Sequence, residues 1–513
     1  MVDLLGDSPV TNFSDDTTVQ LLDTTLRDGE QAPGISLTPE EKAEIALALD
    51  RTEVDVIEAG SACTGAGERR TIQRVTELGL DAKITSFARG VQNDIDLAME
   101  CDVDGVNLVV PSSDRHIEGK VGSSREEIIE RTVDLVSYAK GHGLWVEVLG
   151  EDGSRADLDF LESLMDSAFT AGADRVCYCD TVGHAGPERT AEVVSRLAAL
   201  GPTSTHTHDD LGLGMTNVLA SLGAGADLVH ATVNGIGERA GNVALEEVAI
   251  ALSHCYDIKV AKLDELYELA RVVSQATGVP LPPNKAVIGQ NAFAHESGIH
   301  TDGTLKDEAM YEPYPPALVG RERRLVLGKH TGRAGARATL AEHGLAVSED
   351  ELAEIVSRVK EIGDRGKRVT DEDLLAIAED IKGIEHERRV KLLDITAASG
   401  GGTPTASVRL AVDGEERVAS GVGSGPVDAA VSAVRKALGG TAEAQLDAYQ
   451  VDAITGGTDA VVTVGVTMTL GDETVTVSAS DADITRASVE AMVNALDRLL
   501  VTTGDDTQLV ADD

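Results

Sequence analysis

His206-Thr207-His208 lies within the run TSTHTHDDLGLG. On an extended strand, residues two apart project to the same face. Two imidazoles so placed can close on one metal ion from one side. The same spacing also fits two partly buried, hydrogen-bonded histidines, so the surroundings have to decide. The run reads as a strand that ends at Asp209-Asp210 and gives way to a helix near Gly212. Both histidines then stand at the carboxyl end of a strand, where α/β folds build their sites.

The other apolar runs end in polar groups too. The first ends in Asp23-Thr24-Thr25-Leu26-Arg27-Asp28-Gly29-Glu30-Gln31, and later ones end in Glu58, Arg89, Glu151-Asp152 and Asp180-Thr181. The last leads into Asn234-Gly235-Ile236-Gly237-Glu238-Arg239-Ala240-Gly241-Asn242. A rim salt bridge would explain any one of them. A whole set on one rim reads as a catalytic face.

The elements that must position these groups repeat from Val19 onward. Runs such as VDVIEAGS, AKITSFAR, GVNLVVPSS and DRVCYCDTVG alternate with helix-period stretches such as PEEKAEIALALD and PERTAEVVSRLAAL. Eight strand–helix units over 20–255 indicate an α/β fold, a (β/α)8 TIM barrel. An open doubly wound sheet is the alternative, but no GxGxxG follows the first strand. The pattern breaks at Pro280-Leu281-Pro282-Pro283. The division expected is a disordered acidic leader over 1–17, the barrel over 18–285 and a helical linker subdomain over 286–385. A C-terminal α+β domain with internal duplication follows over 386–513, each half being strands, a tight turn, a strand and a helix. Gly235, Gly237 and Gly241 read as turn positions needing positive φ rather than as a phosphate cradle, because their spacing fits no P-loop.

The 513 residues carry 88 Asp+Glu against 44 Lys+Arg, a formal charge of −44, with aromatics at only 3%. The acid is spread along the chain. Such a surface excludes a nucleic-acid partner, which needs a basic patch, and an anionic membrane surface. It stays hydrated at high salt, as a halophilic cytoplasm requires. The cysteines Cys63, Cys101, Cys177, Cys179 and Cys255 form no CxxC pair and read as reduced thiols in a cytoplasmic protein.

Four motifs, DTTLRDGEQ, HTHDDLG, NGIGERAGN and NAFAHESGIHTDG, stand in the order found in the barrel acyltransferases that condense acetyl-CoA with a 2-oxo acid. The chain resembles the 2-isopropylmalate, (R)-citramalate and homocitrate synthases over nearly its whole length. The resemblance implies that Asp28, His206 and His208 ligate a divalent metal, with Asn242 as a looser ligand. Mixed nitrogen and oxygen donors suit Mg, Mn, Zn or Co and leave positions open for substrate. It implies further that Arg27 meets charge on the keto oxygen, that Thr181 holds the substrate carboxylate, and that Glu151, His300 and Tyr311 serve proton transfer. In the family the linker exchanges between protomers, so His300 would serve a homodimer partner's barrel. The C-terminal domain would bind a feedback amino acid, isoleucine or leucine, with the glycine runs at 400–402 and 456–457 approaching it.

The choice of 2-oxo acid rests on Leu108 and Leu149, read as lining the side-chain pocket. Leu149 is two residues before Glu151 on one strand and so faces the same way. A bulky apolar residue there narrows the pocket toward pyruvate, hence (R)-citramalate, although one or two methyl groups are worth only about 1–3 kcal/mol. Isopropylmalate synthesis is the alternative, followed by homocitrate synthesis. An acyl-CoA lyase and a non-catalytic amino-acid sensor remain as readings from other classes. The first lacks its loop cysteine, and the second is at odds with the intact Asp28/His206/His208 set.

Overall fold

The computed structural model describes residues 13, 17–364, 369–384, 388–439, 444–453, 462–471 and 473–502. The expected leader, the Gly456-Gly457 run and the C-terminal tail fall wholly or largely outside them. The chain forms two compact units, one of residues 1–295 and 307–324, the other of 296–306 and 325–513.

The first unit is a closed barrel of eight parallel strands. They are β1 (Gln20–Asp23), β2 (Val56–Glu58), β3 (Lys83–Arg89), β4 (Gly105–Pro111), β5 (Trp145–Glu151), β6 (Arg175–Asp180), β7 (Thr203–Thr207) and β8 (Leu228–Ala231). β8 closes on β1, with Leu22 opposite His230. A parallel strand covered on both faces is apolar on the outside and packed on the inside. Val106, Leu108, Val146, Val148, Val176 and Tyr178 belong to the cluster between barrel and helices.

The helices start where their sequences say they should. Thr38 and Glu41 form a reciprocal cap ahead of the helix Pro39–Arg51, with proline at its first position. Ser124 and Glu127 do the same for Arg125–Gly141. Each helix then buries one apolar stripe, such as Ile45, Ala46 and Leu49 in the first.

Register decides what fills the barrel. Asn107 pairs with Glu147 and Val109 with Leu149. Leu149 pairs with Cys177, Cys177 with Ser204, and Cys179 with His206. His206 pairs with His230. Residues paired across neighbouring strands share a face, so all of these point inward. Leu149, Cys177, Cys179 and Val109 form a small apolar cluster of their own, separate from the main core.

The second unit holds two cores. Leu340, Leu352, Ile355, Val359 and Leu374 pack together on the helices Arg333–Glu342, Glu349–Asp364 and Asp371–Lys382. The C-terminal part is two antiparallel three-stranded sheets, 390–422 and 445–481. Each is followed by a helix, Pro426–Ala437 or Ile484–Thr502. The duplication extends to detail. A register shift falls at Leu392/Asp394 in one half and at Leu446/Ala448 in the other. Buried residues of both halves make one core.

Candidate metal centre and active site

The turn after β1 is anchored on three sides. The Asp23 carboxylate accepts from the Thr25 amide (2.9 Å) and hydroxyl (2.8 Å). Thr25 Oγ1 accepts from the Val233 amide beyond β8 (2.9 Å). Lys42, fully buried on the first helix, donates to the Leu26 carbonyl at 2.9 Å and pairs with Glu30 at 2.6 Å and Glu68 at 2.8 Å. Arg27 and Asp28 are therefore held rigidly between β1 and β8.

Asp28 receives Arg27 Nη1 on one oxygen (2.7 Å) and Asn242 Nδ2 on the other (2.8 Å). His206 Nε2 lies 3.7 Å from Asp28 and 3.3 Å from His208 Nε2. His208 Nδ1 donates to the Gly241 carbonyl at 3.2 Å, which leaves its Nε2 lone pair facing the gap. One donor atom each from Asp28, His206 and His208 falls within 4.8 Å of the others, and all three residues are buried. Asn242 Oδ1 is buried without a hydrogen-bond partner. Two facing lone-pair nitrogens, a carboxylate and an unserved amide oxygen suit a divalent cation.

The electrostatics agree. Burial holds the His206 imidazole well below its usual pKa, aided by His208 and opposed by Asp28. Burial lowers His208 as well. Burial would raise the Asp28 carboxyl, but Arg27 and the two imidazoles outweigh it and hold it low. Neutral imidazoles beside an ionised carboxylate are the protonation states a metal requires.

Two glycines in the loop after β8 have no substitute. Gly237 has φ 155°, and a Cβ there would stand 2.3 Å from Asn242 Nδ2 and 2.9 Å from Asp28 Oδ1. Gly241 has φ 88°, with a Cβ 1.9 Å from the Gly235 carbonyl oxygen. Both are turn positions, and Gly237 is pressed against Asp28 and Asn242.

Around this centre, Arg27 Nε pairs with Glu58 at 2.5 Å. Glu58 also accepts from Asn107 Nδ2 (2.8 Å). The guanidinium lies over the Phe87 ring, 4.8 Å from its centroid. Thr181 Oγ1 accepts the Asp152 amide at 2.8 Å, so its own proton is left to give. Glu151 ends β5 and is clamped by Lys120 Nζ (2.6 Å) and His116 Nδ1 (3.2 Å) from the loop after β4. Asp152 beside it has φ 65°, a left-handed conformation that aspartate tolerates better than most residues.

Leu149 faces inward as expected, but Leu108 does not. Its neighbour Asn107 reaches Glu58 inside the barrel, so Leu108 turns outward into the helix layer. Val109 occupies the inward place read for it. The physical reason is the period of two along a strand. His300 is exposed on the helix Gly298–Lys306, in the second unit. Tyr311 is 40% exposed in the first unit, after the short turn Glu308–Met310. His116 and Lys120 lie on the short helical turns Asp114–His116 and Ile117–Val121, which are too brief to show a period in the sequence.

A polar layer beneath the metal centre also escaped it. Glu147, Ser204 and His230 point into the barrel, Ser204 Oγ donating to Glu147. His230 Nε2 stands 3.1 Å from Glu147 Oε2. Burial would lower the His230 pKa, but Glu147 and Cys177 raise it well above the usual value. The signal was present as one polar residue at alternate positions in WVEV and LVHA.

Residues 18–273 match the HMGL-like family. Residues 287–367 match the homocitrate synthase post-HMGL domain-like family, and 368–500 the LeuA allosteric (dimerisation) domain. The (R)-citramalate synthase CimA of Methanocaldococcus jannaschii is 49% identical over 489 residues, 94% of this chain and 99% of its own. A Methanothermobacter thermautotrophicus protein that bears the same name provisionally is 53% identical over 485 residues, 94% of this chain and 98% of its own. The chain belongs to the 2-isopropylmalate and (R)-citramalate synthase family. Membership in this synthase family agrees with the order of the four motifs and with the closed barrel. Among solved structures, the HMG-CoA lyase from Brucella melitensis aligns at a TM-score of 0.47 and 20% identity, over 51% of this chain and 99% of that one.

Proposed function

We propose that this synthase condenses acetyl-CoA with pyruvate and releases (R)-citramalate and coenzyme A, in the branch that leads to isoleucine. The observation that carries the reading is near-full-length identity of about one half to (R)-citramalate synthases. The inward apolar cluster of Val109, Leu149 and Cys179 supports it.

Asp28, His206, His208 and Asn242 would hold one divalent ion, Mg, Mn, Zn or Co, whose chemistry is Lewis-acid polarisation of the ketone. The protein's own groups do the rest. Arg27, already charged and braced by Glu58, faces the charge that grows on the keto oxygen. The free Thr181 proton is available to the substrate carboxylate. Glu151 and His300, the latter supplied by a second copy of the chain, move the proton taken from the acetyl methyl group, with Tyr311 polarising the thioester. Water then cleaves the thioester, which makes the reaction irreversible. The partners follow: a homodimer, and a feedback amino acid, isoleucine or leucine, on the C-terminal domain.

The test is thiol release from acetyl-CoA with pyruvate, 2-oxoisovalerate and 2-oxoglutarate supplied separately. Pyruvate is expected to give the highest kcat/KM. Preference for 2-oxoisovalerate would make the protein an isopropylmalate synthase, and release with none would defeat the condensation reading.

A further inference from the structure

The interior of the barrel holds a second set of metal-ligating side chains that the condensation does not use. Glu147 on β5 and Cys177 on β6 are 0% exposed, and His230 on β8 is 1% exposed. One oxygen, the sulfur and one ring nitrogen of the three fall within 4.8 Å of one another. Glu147 Oε1 accepts from Ser204 Oγ and from His230 Nε2 at 3.3 Å. Glu147 Oε2 stands 3.1 Å from His230 Nε2 but accepts no hydrogen bond, and His230 Nδ1 makes none. Unserved polar atoms at the centre of a barrel are costly, and natural proteins seldom keep them without a reason.

We propose that Glu147, Cys177 and His230 bind a second divalent ion of the zinc class, held by thiolate, beneath the centre that takes the substrate. Nitrogen and oxygen donors around a tetrahedral ion with bonds of about 2.1 Å stand about 3.4 Å apart. The Glu147–His230 separation of 3.1 Å is within a few tenths of that. Sulfur selects zinc or cobalt and disfavours magnesium. Charge balances on binding. The thiol proton of Cys177 and any proton on His230 leave to solvent, and thiolate plus carboxylate neutralise the dication. The ion would crosslink three strands that are far apart in the chain, and its presence does not depend on which 2-oxo acid the enzyme takes.

The experiment loads the full-length protein with cobalt(II) under reducing conditions and records bound cobalt per protomer and the absorption spectrum. The substrate centre offers only nitrogen and oxygen donors, so a thiolate-to-cobalt charge-transfer band reports the second site alone. Wild type is expected to bind two ions and show the band. His206→Ala should lose one ion and keep the band, whereas Cys177→Ala should lose one ion and the band together. Should Cys177→Ala fail to fold, Glu147→Gln is expected to weaken the band at equal free cobalt. Wild-type protein that takes up cobalt without the band, or a band that survives in Cys177→Ala, would overturn the proposal.

Discussion

At the scale of single residues, the proposed metal centre would find its candidate ligands already in the protonation states that a metal requires. His206 and His208 are kept neutral by burial, and Asp28 is kept ionised by Arg27. His206→Ala should therefore lose the bound ion at the substrate centre and with it turnover, by about 100-fold or more, since even an outer partner of a metal ligand is worth 10–100-fold. Metal analysis of the dialysed variant beside its rate checks this. A variant that kept full activity would remove His206 from the ligand set. Arg27 shows the same economy. Burial would lower its pKa, but Glu58 and Asp28 raise it, so it stays a cation although it is buried.

At the scale of elements, the loops after β1 and β8 carry the centre jointly. Gly237→Ala puts a methyl group onto the Asp28–Asn242 hydrogen bond. Metal affinity should fall at least about tenfold while the barrel's far-UV circular dichroism is kept; unchanged affinity would show that the loop can yield. Asp23, at the end of β1, is a second lever. Burial raises its carboxyl to about 7, with Glu58 and Glu246 adding to the effect and Thr25 opposing it. A carboxyl raised on folding gives stability that is complete below the unfolded pKa and is lost as pH climbs through about 7. Asp23→Asn has no such loss. Between pH 5 and 8 the variant should gain on wild type by roughly 1–3 kcal/mol in urea unfolding. A difference that is flat with pH would show that Asp23 stays ionised in the folded barrel.

At the scale of the molecule, the barrel has its own large core and the C-terminal duplicated domain has another. Separate cores predict that chemistry and regulation can be parted. A chain ending near residue 386 is expected to retain some thiol release while losing inhibition by isoleucine or leucine, read as the rate with and without each amino acid. Inhibition that persisted would place the effector site elsewhere. The described residues include no helix long and apolar enough to cross a membrane.

Alternation of apolar and polar residues, the order of the motifs and the strand-end position of His206 and His208 are local properties. They sufficed for the barrel and the duplication, because strand and helix periods are written into neighbouring residues. Which side chains meet inside the barrel is not local. It depends on the register between strands tens of residues apart, and a step of one residue exchanges inside for outside. That is why Leu108 was assigned to the pocket that Val109 lines, and why Glu147, Cys177 and His230, each unremarkable in its own strand, became a cluster only when the sheet closed.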